Sequence, residues 1–313
     1  MLKPTKTAFD KGQDLELETR RGRIAGLRWR PRPAADPNAK SGHATPVLAV
    51  HGWLDNAASY LPLAQHTAGL DLVAIDLPGH GQSSHHHPSA PYHFTDYVSD
   101  VDAALDALGW DSCHLLGHSM GSAILSLFAV AAPDRVRSLT CLDTLGPITD
   151  AADAIPGRLR RSLKSLRAEP RRKKPYASVD EMIAARLDKS DLDAAAARLI
   201  CERSAQAVDS HFEWTNDSAL YWVSPLVMTE DQALECMAVI DAPVLSITAR
   251  PLASFIREET VQARIAALKN GTQEWVDGSH HFHMDHPQRT AARIIPFIQH
   301  EESRWQANFH SKE

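Results

Sequence analysis

The sequence predicts an α/β protein: a mostly parallel sheet with helices on both faces and a helical segment inserted late in the sheet. Three observations carry this reading. Short apolar runs alternate with helix-compatible stretches over 46–144 and again from 243 to the last residues, which is the pattern of strands joined by crossover helices. The core runs end in glycine or turn residues, as strand ends do. Between the two blocks, Gly146-Pro147 breaks the alternation and a mainly helical region runs to about Ile240. The expected organisation is a first core part over 1–145, a helical cap over 146–240 and a second core part over 241–313.

Taken in order, DLELET and IAGLRWR flank Arg21-Gly22 as an antiparallel edge hairpin would, and the stretch from Asn38 to Gly42 reads as a loop. PVLAVHG (46–52), LDLVAIDLPGHG (70–81) and SCHLLGHS (112–119) supply three core strands, each followed by a helix, and SLTCLDT (138–144) closes the first block. PVLSITA (243–249), a helix near 254–268, EWVDGSHH (274–281) and a last helix from Pro287 resume it. Neither an internal repeat nor a long low-complexity tract interrupts the chain.

With 313 residues, 43% of them hydrophobic and 23% charged, the chain has the size and composition of one globular enzyme core carrying an insertion, and disorder or a fibrous repeat is excluded. The opening residues MLKPTKTAFDKGQ lack the apolar centre of a signal peptide, and no run approaches the roughly 18 apolar residues that span a bilayer, so a cytoplasmic protein without stable membrane insertion is expected. Cys113, Cys141, Cys201 and Cys236 are widely spaced inside apolar segments and read as buried free thiols. The net charge of −6 argues against a nucleic-acid binder, which needs clustered Lys and Arg. One segment runs against that balance: 158–174 holds nine of the 33 basic residues and one of the 39 acidic ones, leaving the rest of the chain at −14.

Gly117-His118-Ser119-Met120-Gly121 matches G-x-S-x-G, in which a strained strand-to-helix turn lifts a serine above the sheet edge. It stands between CHLLG and AILSLFAVAA, a strand-like and a helix-like run, as that turn requires. Ser119 is therefore the candidate nucleophile; the alternative is a serine that only caps the helix. Negative charge developing on a carbonyl oxygen needs preorganised N–H donors. The residue after the nucleophile, Met120, offers one, and Trp53, in the loop His51-Gly52-Trp53 after PVLAV, offers the other. His51 is expected to brace that loop.

A serine hydroxyl needs a base, and the chain order nucleophile, acid, histidine places that base after the last strand. Four histidines stand there: His280, His281, His283 and His286. His280, first after the Gly278-Ser279 turn, is the candidate base. A rival lies in the same stretch, because His281-x-His283-x-Asp285-His286 spells the H-x-H-x-D-H ligand motif of metallo-β-lactamase-like hydrolases. Only 27 residues follow His286, too few for the further ligands that fold draws from downstream. His85-His86-His87 has no cysteine or carboxylate at ligand spacing and reads as a solvated turn. No metal or cofactor is assigned.

HGWLDNAASY, DLPGHGQSS, LGHSMGS, the HH pair of GSHHFH and the W-x-x-D segment from Trp214 to Asp217 together resemble the landmarks of the serine hydrolase-like family within the α/β hydrolases, over most of the chain. The resemblance implies the α/β-hydrolase fold and cofactor-free hydrolysis of a carboxylic ester or similar small acyl compound, with the substrate and oligomeric state open. Haloalkane dehalogenases and epoxide hydrolases share the fold but carry Asp at the nucleophile position, which Ser119 argues against. In most relatives the acid of the triad lies in the loop after the strand placed here at 243–249, yet Ala249 to Ser254 contains no carboxylate. Some branches take it from the end of the strand before the cap, where CLDTLGP places Asp143. Asp143 is the candidate acid; Glu258, Glu259 or no acid at all are the alternatives, and the missing carboxylate leaves room for a degenerate, ligand-binding hydrolase fold.

In the cap, Leu159, Leu163 and Leu166 recur at helical spacing with basic residues on the other face. A solvated helix face accounts for the charge; the functional version is attraction of an anionic acyl substrate or a membrane surface. Phe212, Trp214, Tyr221 and Trp222 are candidates for an acyl pocket or, equally, for the core of the cap.

Overall fold

Strands of nearly unbroken aliphatic character are buried only where helices cover both faces of their sheet. That condition organises the molecule, seen in a computed structural model that describes residues 10–31, 44–87, 90–168 and 172–310. The loop expected at Asn38 to Gly42, and Glu169 and Arg171 of the basic segment, lie outside the described residues.

Strands β1 (Gln13–Thr19) and β2 (Gly22–Trp29) form the antiparallel hairpin, whose turn falls on Arg20-Arg21, one residue earlier than the sequence suggested. The core follows as β3 (Thr45–Val50), α1 (Leu61–Ala64), β4 (Leu70–Ile75), α2 (Asp96–Leu108), β5 (Cys113–His118), α3 (Met120–Ala131) and β6 (Val136–Leu142). From Asp143 to Pro243 the chain leaves the sheet and forms α4 (Ile155–Arg167), α5 (Val179–Leu187), α6 (Ala194–Ser204), a two-stranded hairpin of β7 (Ala205–Val208) and β8 (His211–Trp214), and α7 (Glu230–Ala238). It returns as β9 (Val244–Arg250), α8 (Glu258–Ala267), β10 (Gly271–Asp277), α9 (Phe282–Asp285) and α10 (Pro287–His310). The hairpin is a strand element that the helical reading of this region did not contain.

The eight strands lie in the order β1-β2-β4-β3-β5-β6-β9-β10, parallel from β4 onward. Because the chain steps from β3 to β4 on one side and then to β5 on the other, the strand order reverses at β3. The crevice beyond the carboxyl ends of β3 and β5 is where open α/β sheets place their sites. Alternate residues of one strand feed opposite cores: Leu48 and Val50 join Leu105, Ile124 and Phe128 on one face, while Val47 and Ala49 join Tyr60, Leu63, Phe282 and Ile294 on the other. A third cluster links Ile183, Ala197 and Ile200 of α5 and α6 to Met284 of α9.

Two buried ion pairs fasten the inserted segment to the sheet. Arg186 of α5 reaches Asp55 Oδ1 at 2.5 Å, and Arg203 of α6 reaches Asp76 Oδ2 at 2.9 Å. Asp76 is fully buried and also accepts from the Ala57 and Gln82 N–H groups, so it organises the loops after β3 and β4 at once. Helix α4 departs from expectation. Leu159, Leu163 and Leu166 are exposed at 47%, 50% and 43%, and the helix leans inward through Arg158, Ser162 and Ser165. The reason is polar contact: Arg158 pairs with Asp150, and Ser165 Oγ accepts from the Val223 N–H, so the hydrogen-bonding face is drawn in ahead of the leucines.

Breaking a buried pair from one side strands the other charge, at about 3–5 kcal/mol. Arg203→Leu is accordingly expected to lower unfolding free energy by about that amount in urea titration.

Candidate active site

The site is assembled at the carboxyl edge of the sheet from three distant segments. Ser119 follows β5 directly and opens α3, with φ 51° and ψ −118°, a conformation that costs a non-glycine residue about 1–3 kcal/mol and persists only when its surroundings enforce it. They do so through two glycines. A Cβ on Gly117 would lie 2.4 Å from the Ser122 backbone, and one on Gly121 would lie 1.9 Å from the Val50 carbonyl oxygen. Neither position admits a side chain, which is why the turn can be this tight.

Ser119 Oγ lies 3.0 Å from His280 Nε2, and His280 Nδ1 lies 2.5 Å from Asp143 Oδ2. His280 is the first residue after the Gly278-Ser279 turn beyond β10, and Gly278 takes φ 158° there. Asp143 follows β6 directly, itself at φ 58°, and is fully buried. Its second oxygen accepts from the Ala249 N–H at 2.6 Å, and its own N–H donates to the Ile247 carbonyl at 2.7 Å. Strand β9, whose following loop lacks a carboxylate, thus contributes the N–H that aims an acid borne by its neighbour. Burial raises the Asp143 pKa and the contact with His280 opposes the rise. Glu258 pairs with Arg250 at 2.8 Å and Glu259 is exposed; neither meets the imidazole.

Gly52 lies against Ser119: a Cβ there would be 3.2 Å from Ser119 Cβ. Trp53 is the next residue, and Met120 is the first of α3, where an N–H has no acceptor inside the helix. His51 braces the loop, its Nε2 accepting from the Leu77 N–H at 3.0 Å while Nδ1 contacts the Gly52 carbonyl at 2.7 Å.

Beside these lies a second set of groups, of which only His281 was a candidate in the sequence. Asp55 takes Arg186 on one oxygen and His281 Nε2, at 3.1 Å, on the other. His118 Nε2 contacts the His280 carbonyl at 2.9 Å. Asp191, between α5 and α6, accepts from the His280 N–H at 2.9 Å and faces His281 Nδ1 at 3.5 Å. Burial pushes the His118 pKa down to about 3, so its ring is neutral. Burial works the same way on His281, but Asp55 and Asp191 outweigh it and raise that pKa to about 9. The signals were in view: Asp55 belongs to HGWLDN and His281 to the HH pair.

The H-x-H-x-D-H segment does not converge. His281 turns to Asp55, His283 is buried against Tyr60 and His118, and Asp285 bonds to Ser279. In the triple-histidine turn, His85 faces Asp217 at 3.6 Å and His86 stacks on Tyr92. The four pocket candidates separate: Tyr221 packs edge-on against Trp53, Trp214 packs into the cluster of α5 and α6, the Phe212 backbone pairs with Tyr176, and Trp222 is half-buried after a short turn. Instead, Phe255 stands edge-on to His280 at 5.2 Å and lines a cleft of about 690 Å³ with Ile148, Ile256 and Val261. No helix among the described residues is long and apolar enough to cross a membrane.

A family model described as the alpha/beta hydrolase fold matches residues 45–179. A probable serine hydrolase of Drosophila melanogaster is 33% identical over 269 residues, covering 81% of this chain and 80% of that one. Serine hydrolase-like protein 2 of Homo sapiens is 28% identical, covering 91% and 94%. Among solved structures, the hypothetical protein PA1622 of Pseudomonas aeruginosa PAO1 superposes with a TM-score of 0.82 at 32% identity, over 90% of this chain and 98% of that one.

Since a Cβ at position 121 meets main chain and not a movable side chain, Gly121→Ala is expected to cost at least the roughly 3 kcal/mol at the top of the overpacking range. A thermal midpoint unchanged from wild type would contradict this account of the turn.

Proposed function

The chain belongs to the serine hydrolase-like family of the α/β-hydrolase superfamily, and from that premise we propose that it cleaves a carboxylic ester or related acyl compound through an acyl-enzyme on Ser119. The observation that carries the proposal is the unbroken line Ser119 Oγ, His280 imidazole, Asp143 carboxylate, at 3.0 Å and 2.5 Å.

A carboxylate can only accept, so Asp143 fixes the proton on His280 Nδ1 and leaves the Nε2 lone pair for the serine. As Oγ attacks the acyl carbon, its proton passes to Nε2, and the imidazolium formed is stabilised by the buried carboxylate. The carbonyl oxygen becomes an oxyanion between the Trp53 and Met120 N–H groups, a stabilisation of roughly 3–4 kcal/mol per donor in sites of this kind. Collapse expels the alcohol, which takes the Nε2 proton. Water, deprotonated by the same nitrogen, then attacks the acyl carbon and releases the acid and Ser119. These steps use the chain's own residues and call for no cofactor.

The insertion, 146–240, serves in this reading as the cap, with Tyr221 beside Trp53 at the entrance. The cleft beside Phe255, which stands edge-on to the imidazole, mixes Ile148 and Ile256 with Asp150, Glu230 and Arg264, and so suits an acyl or leaving group with both apolar and polar parts.

A fluorophosphonate probe is expected to label the wild-type chain and not Ser119→Ala. With a panel of chromogenic esters of different acyl length, Asp143→Asn is expected to lower kcat by about 10⁴, and Glu258→Gln to leave it unchanged. A folded wild-type protein that neither takes the probe nor turns over any ester would favour a ligand-binding role for the same fold.

A further inference from the structure

The cluster beside the nucleophile carries a feature that the hydrolytic reading does not use. His118 Nε2 faces the His280 carbonyl at 2.9 Å, and His118 Nδ1 faces Asp55 Oδ2 at 3.6 Å. Both neighbours are acceptors, yet a neutral imidazole has one N–H. Whichever tautomer is present, one ring nitrogen is left opposite an acceptor. The Nε2 contact is the shorter and makes the hydrogen bond, so Nδ1 directs a bare lone pair at a carboxylate oxygen, and it has no hydrogen-bond partner although the ring is fully buried. Two acceptors held face to face out of water are costly unless a cation stands between them.

The geometry points to a binding site for one divalent cation of the Zn²⁺ type, held by Asp55 Oδ2, His118 Nδ1 and His281 Nε2. One donor atom of each of these three residues lies within 4.8 Å of the others, and all three residues are buried. The Asp55–His281 and Asp55–His118 separations, 3.1 Å and 3.6 Å, bracket the edge of about 3.3–3.4 Å of a tetrahedron with Zn–N and Zn–O bonds of about 2.0–2.1 Å. The supporting partners are those a metal site requires, because a ligating histidine gives its other N–H to a carbonyl or carboxylate. His118 has the His280 carbonyl, Arg186 holds the second oxygen of Asp55 so that Oδ2 faces inward, and His281 Nδ1, without a hydrogen bond, faces the Asp191 carboxylate at 3.5 Å. Two imidazoles and a carboxylate favour zinc, cobalt or nickel over magnesium or calcium. The ion takes the place of the proton now shared by His281 Nε2 and Asp55, and the positive Arg186 behind the carboxylate keeps the affinity below that of a structural zinc. His283 is fully buried with both ring nitrogens unpartnered, its ring centroid 4.2 Å from that of His118. Of the H-x-H-x-D-H segment only His281 belongs to the donor set.

The test is binding, and it is independent of any hydrolysis. The full chain, with His85, His86 and His87 changed to Asn to remove surface histidines, is stripped with a chelator and titrated with Zn²⁺ by calorimetry and with Co²⁺ by visible absorption. The expected result is one equivalent per chain, the absorption of tetrahedral Co²⁺, and a thermal midpoint raised by Zn²⁺ but not by Mg²⁺. His118→Gln and His281→Gln, each checked for folding by circular dichroism, are expected to lose that equivalent. Asp191→Asn, on the exposed side, is expected to keep the fold and weaken Zn²⁺ about 10–100-fold. A folded parent chain that binds no stoichiometric Zn²⁺, or variants that bind it as the parent does, overturns the site.

Discussion

The close approach of β3, β5 and the start of α3 is the constraint on which the rest of the site depends. With only hydrogen atoms at 117 and 121, the helix start can lie on the Val50 carbonyl and hold Ser119 in a backbone conformation it would not adopt alone. Strain at such a residue has to be balanced elsewhere. Here the two apolar layers that sandwich β3 and β5 supply the balance, since neither strand can move away from the other without opening both cores. A rigid hydroxyl position is thus a property of the whole sheet.

Asp143 illustrates how neighbouring strands can bring a side chain to one place. Neighbouring parallel strands end side by side, so the carboxyl end of β6 lies next to that of β9. Asp143, just past β6, thereby reaches the His280 imidazole while its other oxygen accepts from the Ala249 N–H of β9. Asp143 takes the left-handed backbone needed to turn its side chain across, and hydrogen bonds to the backbone of residues 247 and 249 fix it there.

What was legible in the sequence was local. Apolar runs of strand length, the glycines of the elbow and the Gly278-Ser279 turn before His280 report on their own neighbourhoods, and the corresponding elements stand where those signals put them. Asp143 could be named because the family resemblance implies a second place for the acid, the end of the strand before the insertion, and CLDTLGP puts a carboxylate there. The groups around Asp55 were out of reach because their relation is not local: Asp55 lies 226 residues from His281 and 131 from Arg186. Helix α4 shows the opposite failure. Its leucine spacing was read as a packing face, but periodicity cannot tell which face has hydrogen bonds waiting for it, and Arg158 and Ser165 decided the orientation. The four aromatics near the hairpin failed for a related reason, since bulk predicts burial without saying in which core.

The fastening of the insertion by Arg186 and Arg203 has a kinetic corollary. Asp55 stands two residues after Trp53 and Asp76 organises the same loop, while Asp191 grips the main chain of His280. Lifting the insertion as a lid would therefore tug on the loop that carries Trp53 and Asp55 and on the main chain of His280. On the proposed reading, passage of a molecule is better served by side-chain rotation at the rim than by hinged opening, and sequence drift far out on α5 and α6 reaches the loop and the imidazole through Asp55, Asp76 and Asp191.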